Sequence, residues 1–248
     1  MPTAGAATMS AQKMMVNAVD PEGKWLYRVG GISALLLGIA YVATIPLYVS
    51  VGAPPTGGEA RLHYLAGKTA VWWAILGLSV LTDVLFIPVA LALYLALQGI
   101  NRNAMLIATA LVGLFVVLDL AVTWPNYAAL ISLSGNYAAA TNDAERAIYV
   151  GAANYASAVL TSSLEAVYSI LVLSLGILMV GLVMLKGIFG KSTAYLGVVT
   201  GILGIVAAVG PLFVSGLSVT IIIVSVLTTV WILLVGFRLY WLGGLERQ

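Results

Sequence analysis

The sequence predicts an all-α fold: a polytopic transmembrane helical bundle of six spans, with one further helix at the outer interface. Three observations carry this reading. Of 248 residues, 62% are hydrophobic and 8% are charged, whereas a soluble domain carries charge on about a quarter of its residues. Apolar runs long enough to cross a bilayer, at about 20 residues each, follow so closely that no segment between them could bury its own core. Lysine and arginine gather on one set of connections, as expected for the cytoplasmic side.

The runs fall at about residues 26–48, 72–97, 104–124, 164–186, 193–214 and 217–240. Before the first, Asp20 can cap the free amides while Pro21 and Glu22 suit a first helical turn, which places Trp25 and Tyr27 at the interface. The stretch "VGAPPTGGEA" after the first span reads as a turn-rich outer loop. Pro88 removes an amide from the second span and so predicts a bend near Asp83. Between the third and fourth spans, Ile148, Ala152, Tyr155 and Val159 recur at helical spacing, and Asn142 with Glu145 has the spacing of a capping box. An amphipathic helix at the outer interface fits this segment, residues 142–161, with a seventh span as the alternative. Gly210 and Pro211 predict a bend in the fifth span, and "GGL" at Gly243 a stop for the last.

With an N-terminus inside, Lys13, Lys24, Arg28, Arg102, Lys186, Lys191, Arg238 and Arg247 are cytoplasmic, and Arg61, Lys68 and Arg146 lie outside. This gives a multi-pass cell-membrane protein with cytoplasmic tails at 1–24 and 243–248 flanking one membrane domain at 25–242. The start of the chain lacks the order of a signal peptide and reads as a retained tail.

Composition excludes several chemistries. The chain has no cysteine, which removes disulfides, thiolate metal sites and thiol nucleophiles. One histidine cannot build paired haem ligation or an ordinary zinc site. A net charge of +2 is too small and too dispersed to suggest nucleic acid. There is no phosphate-cradling loop and no HExxH helix. No cofactor, catalytic residue or metal ligand is expected.

Chemistry is sought at the residues that are expensive in lipid, because a mid-membrane carboxylate costs several kcal/mol unless it is protonated, paired or wetted. These are Asp83, Asp119 and Glu165. Asp83 lies roughly 16 Å below Trp72 and Asp119 about 8 Å below Trp124, so the acids share the outer half. Trp124, Tyr127 and Tyr168 are the aromatic neighbours expected there, with no lysine or arginine at comparable depth. The six residues form a candidate site for a proton, a metal cation or an organic amine, the aromatics adding cation–π attraction. Alternatively, neutral Asp83 and Asp119 only lock helices together through hydrogen bonds. Ser162 stands three residues before Glu165, so Glu165 has the alternative role of closing a helix start. His63 reads as an exposed interfacial residue. Gly30, Ala34 and Gly38, and Gly197 with Gly201, predict close helix approach, either within the chain or to another subunit or copy.

"WLYRVGGISALLLGIAYV", "LTDVLFIPVALALYLAL" and "LEAVYSILVLSLGILMVGLVMLK" together resemble a prokaryotic membrane family catalogued as domain of unknown function 4386. The likeness runs from about Trp25 onward and is punctuated by Tyr27, Arg28, Asp83, Pro88, Tyr94, Glu165 and Tyr168. It implies packed transmembrane helices in a prokaryotic cell membrane and brings no activity, substrate or cofactor. The leading functional expectation is a non-enzymatic scaffold or accessory subunit of a larger membrane complex, with the lipid bilayer and other membrane subunits as partners. The alternative is a small transporter or ligand-binding membrane protein with an outward-facing acidic and aromatic pocket.

Overall fold

The computed structural model describes residues 23–244. The signals expected of Asp20, Pro21 and Glu22, and the charges Lys13 and Arg247, lie outside these. Among the described residues there is no strand. Five helical stretches are long and apolar enough to cross a membrane: Lys24–Val51, Thr69–Ala139, Asp143–Met184, Lys191–Leu212 and Thr220–Gly244.

The longest stretch is not a straight rod. Asn101 leaves helical geometry (φ −153°, ψ 90°), and its side-chain oxygen accepts the Ala104 amide at 3.1 Å, capping the helix that follows. Residues on either side of it meet in nested pairs. The Phe86 and Phe115 rings pack edge to face at 5.7 Å, and Trp72 stacks on Tyr127 at 5.4 Å. In a straight helix the first pair would stand about 40 Å apart. The chain therefore folds back at Asn101 into an antiparallel hairpin.

We label the helices α1 (Lys24–Val51), α2 (Gly58–Leu65), α3 (residues 69–100), α4 (residues 102–139), α5 (Asp143–Leu160), α6 (residues 163–184), α7 (Lys191–Val209) and α8 (Thr220–Gly244). Packing closes a ring in which α1 touches α3 and α8, α4 touches α6, and α7 touches both α6 and α8. Glycines set the close approaches. A Cβ on Gly31 would fall 2.5 Å from the Tyr240 amide nitrogen, and one on Gly201 2.7 Å from the Leu178 backbone. Gly30 faces Ala92, Gly38 faces Leu233, Ala34 meets Gly236, and Gly197 meets Trp231 and Gly181. The small-residue faces expected from sequence are thus occupied within the chain.

A second core builds a cap at one end of the ring. Leu62 and Leu65 of α2 pack with Trp72, Leu130, Ile131, Ala153, Ala156 and Leu160. Helix α2 begins inside the expected turn-rich loop, at Gly58, and takes its last three residues. Gly57, at φ +90°, turns the chain into it, and Gly58 lies so close to α5 that a Cβ would sit 2.4 Å from the Asn154 amide. The amides of Gly57 and Gly58 donate to Ser157 Oγ and Asn154 Oδ1. Helix α4 also runs past Trp124, where the third span was expected to end, as far as Ala139. At roughly 55 Å it outreaches the ~30 Å hydrocarbon core of a bilayer.

Helix α5 has the expected cap: Asn142 Oδ1 accepts the Glu145 amide at 2.9 Å, and Glu145 reaches back to the Thr141 amide at 3.1 Å. It stops at Thr161, where Ser162 is extended (ψ 148°), so α5 and α6 are separate helices. Its stripe of Ile148, Ala152 and Tyr155 is exposed, and Ala153, Ala156 and Leu160 form the buried face. Trp25 is exposed as expected, but Tyr27 is fully buried in the main core. Pro211 ends α7 in a 3₁₀ turn, Gly210–Leu212, rather than bending it.

Candidate functional site at the cap end of the ring

The hairpin decides where the first acid sits. Folding back at Asn101 sets α3 against α4, and Trp124 Nε1 donates a hydrogen bond to Oδ2 of Asp83 across 41 residues of chain. Asp83 is 3% exposed. Tyr127, one turn on from Trp124, packs on its ring at 5.8 Å and stacks on Trp72.

The second acid sits on a distorted turn. Asp119–Thr123 is a π-turn, closed by a bond from the Trp124 amide to the Asp119 carbonyl in place of the α-helical spacing. Asp119 Oδ1 accepts Thr123 Oγ1 at 2.8 Å, and the same hydroxyl meets Tyr168 Oη at 3.1 Å. Asp119, Thr123 and Tyr168 are all buried. Tyr168 belongs to a second π-turn, Val167–Leu171, in which the Val172 amide reaches the Val167 carbonyl. Two π-turns on different helices therefore touch through one hydroxyl pair.

Pro125 explains why α4 continues where the sequence pointed to an end. Proline is tolerated in a first turn, where its missing amide breaks no bond, and it stands in the first turn after the π-turn. Asn126 Nδ2 adds a bond to the Val122 carbonyl at 2.8 Å.

Glu165 is placed beside the network rather than in it. Ser162 Oγ accepts the Glu165 amide at 3.2 Å, which is the cap expected of this spacing. The Glu165 carboxylate does not reach back; its Oε1 accepts Ser169 Oγ at 2.9 Å. Asp119, Tyr127 and Tyr168 are within its electrostatic reach. The structure thus brings five of the six candidates, Asp83, Asp119, Trp124, Tyr127 and Tyr168, into one chain of contacts, with Glu165 at its rim.

Two residues were missed by the sequence reading. Arg61, counted there as an outer-loop charge, is 4% exposed in α2, with Nε on the Pro55 carbonyl at 2.9 Å and Nη1 buried without a hydrogen-bond partner. Its charge acts on Tyr127 and Glu165, so the acid at the rim does have a cation near it. The helical spacing of Gly58, Leu62 and Leu65 was the one signal of a buried face that takes in Arg61. Tyr41 of α1 faces Asp83 and Asp119 electrostatically; its signal was a polar-tipped ring in mid-run.

Among the described residues the one ion pair joins Arg146 and Asp143 at 3.6 Å, on the surface. No group of three or more His, Asp or Glu side chains is gathered there that could hold a metal ion. His63 is exposed and meets Tyr137, Nε2 to Oη, at 3.2 Å. Comparison with family models, with curated proteins and with solved structures returns no match.

Proposed function

We propose that the protein is a ligand-binding membrane protein, a small transporter or receptor-like binder, whose outward-facing cluster around Asp83 and Asp119 takes up a proton, a cation or an organic amine. The observation that carries this reading is the meeting of two π-turns at Asp119, Thr123 and Tyr168. Single π-turns in α-helices are concentrated at functional sites. Magnitudes point the same way. A hydrogen bond to a charged group contributes about 2 kcal/mol, whereas an ionised carboxylate at this depth costs several. One indole N–H on Asp83 therefore falls short, and a bound cation, a proton being the smallest, supplies the rest.

In this reading the chain makes six crossings of a prokaryotic cell membrane, with α3 and α4 counted separately. Both termini are cytoplasmic and the cap is outside, with the exposed stripe of α5 against the outer interface. The charge asymmetry and the fold-back at Asn101 support this arrangement. The resemblance to domain of unknown function 4386 rests on the residues quoted for it.

Thermal unfolding of the purified chain against a panel of alkali cations, divalent cations and organic amines tests the proposal. One class should raise the midpoint in the wild type, and Asp83→Asn with Asp119→Asn should abolish that rise. A panel without any shift, or a shift that survives both substitutions, contradicts it.

A scaffold or accessory subunit is the second reading. It is favoured by the pairing of each acid with a donor from this chain: Trp124, Thr123 and Ser169. Purification from native membranes in mild detergent should then return stoichiometric partner subunits, and a lone chain counts against it.

A further inference from the structure

At the end of the ring opposite the cap, a groove of about 260 Å³ opens between the α3–α4 turn with the start of α4 and the last turns of α6. Its walls are Ile100 and Ala104 on one side and Met179, Leu182 and Val183 on the other. Leu182 and Ile100 are 49% and 38% exposed, so the groove opens on the outer surface of the ring, where apolar side chains face lipid. Its polar members are Asn101 and Lys186, which stand at the same end of it. From Lys186 to Met179 the wall runs for roughly 10 Å along the helix.

Among the described residues the charge at this end is of one sign. Lys24 and Arg28 begin α1, Arg102 begins α4, Lys186 follows α6, Lys191 begins α7 and Arg238 lies in the last turns of α8. Every described carboxylate, from Glu59 to Glu165, lies in the cap or within the ring toward it. Lys186 is exposed and makes no ion pair with a described residue. An apolar slot closed at one end by a free ammonium, an amide and the start of a helix matches an acyl chain joined to an anionic phosphate.

We infer that the groove between α4 and α6 seats an anionic phospholipid, its phosphate on Lys186 beside Asn101 and its acyl chain along Leu182, Met179 and Ala104. This site is separate from the carboxylate cluster and stands whether or not that cluster binds a ligand. Neutral phosphatidylcholine lacks the net charge that Lys186 selects, and inorganic phosphate lacks the chain that fills the slot.

Native mass spectrometry of the detergent-purified full chain, titrated with phosphatidylglycerol and with phosphatidylcholine, tests the inference. The wild type should retain phosphatidylglycerol in preference. Lys186→Gln should reduce that preference about fivefold, and Ala104→Phe, which fills the slot, should reduce retention of the first bound lipid. Lys191→Gln, also exposed at this end, serves as the control and should leave it unchanged. Because Lys186 is exposed, its substitution leaves the packing intact. Equal retention of the two lipids, an undiminished preference in Lys186→Gln, an equal loss in Lys191→Gln, or displacement of phosphatidylglycerol by equimolar inorganic phosphate would each overturn the inference.

Discussion

Trp124 donates its indole N–H to the Asp83 carboxylate from the other arm of the hairpin, so one hydrogen bond ties α3 to α4 at a buried acid. Removing the donor should leave a buried acceptor without a partner. Trp124→Phe is expected to destabilise by about 1–3 kcal/mol, measured as a lower midpoint in thermal unfolding. Asp83→Asn keeps an oxygen that can accept the same N–H and should stay close to wild-type stability. A large loss in Asp83→Asn would show that the charge itself holds the helices.

The Thr123 hydroxyl joins Asp119 to Tyr168, and so joins the two π-turns. Thr123→Val preserves shape and removes both bonds, whereas Tyr168→Phe removes one. The expected order of destabilisation is Thr123→Val above Tyr168→Phe, the latter near 1 kcal/mol. In the double variant, a loss equal to that of Thr123→Val alone shows that the groups act in series, and full additivity argues against the link.

Glycine substitutions separate packing from propensity. Gly31→Ala forces its new carbon onto the Tyr240 backbone, where neither helix can yield by a rotamer change, and should cost about 1–3 kcal/mol. Gly77 lies on an exposed face of α3 with open space before it. Gly77→Ala should be neutral or stabilise by about 0.5 kcal/mol. Equal midpoints for the two variants would remove the close approach of α1 and α8 from the account.

Asn101 both breaks the helix and caps its continuation. Asn101→Ala should lose about 1 kcal/mol, the usual cost of an N-cap, and Asn101→Asp should retain most of it. If both variants match the wild type, the turn is set by packing such as that of Phe86 on Phe115 rather than by the cap.

The acids were legible in the sequence because a charge inside an apolar run has few innocent explanations. Their partners were less so. The expected neighbourhood of Asp83 included Trp124, but the bond between them depends on a fold-back 41 residues long in chain terms, which local spacing does not encode. The π-turns left no trace, since the same residues could form an unbroken α-helix until packing selects otherwise. The third span was expected to end at Trp124, yet Pro125 occupies a first turn after a reset in register and the helix goes on. Helix α2 was hidden by the prolines and glycines before it, and burial of Arg61 with it. The caps at Asn142 and Ser162 were readable because they are purely local.

The central claim is that the stretch Thr69–Ala139 goes in and comes back, with Asn101 at its far turn. The chain has no cysteine, so single thiols at Thr56, Asn103 and Asn142, all exposed, can each be labelled in native membranes with an impermeant maleimide. The account predicts that the Thr56→Cys and Asn142→Cys variants react from one side and Asn103→Cys from the other. Reaction of the Thr56 and Asn142 variants from opposite sides would contradict it.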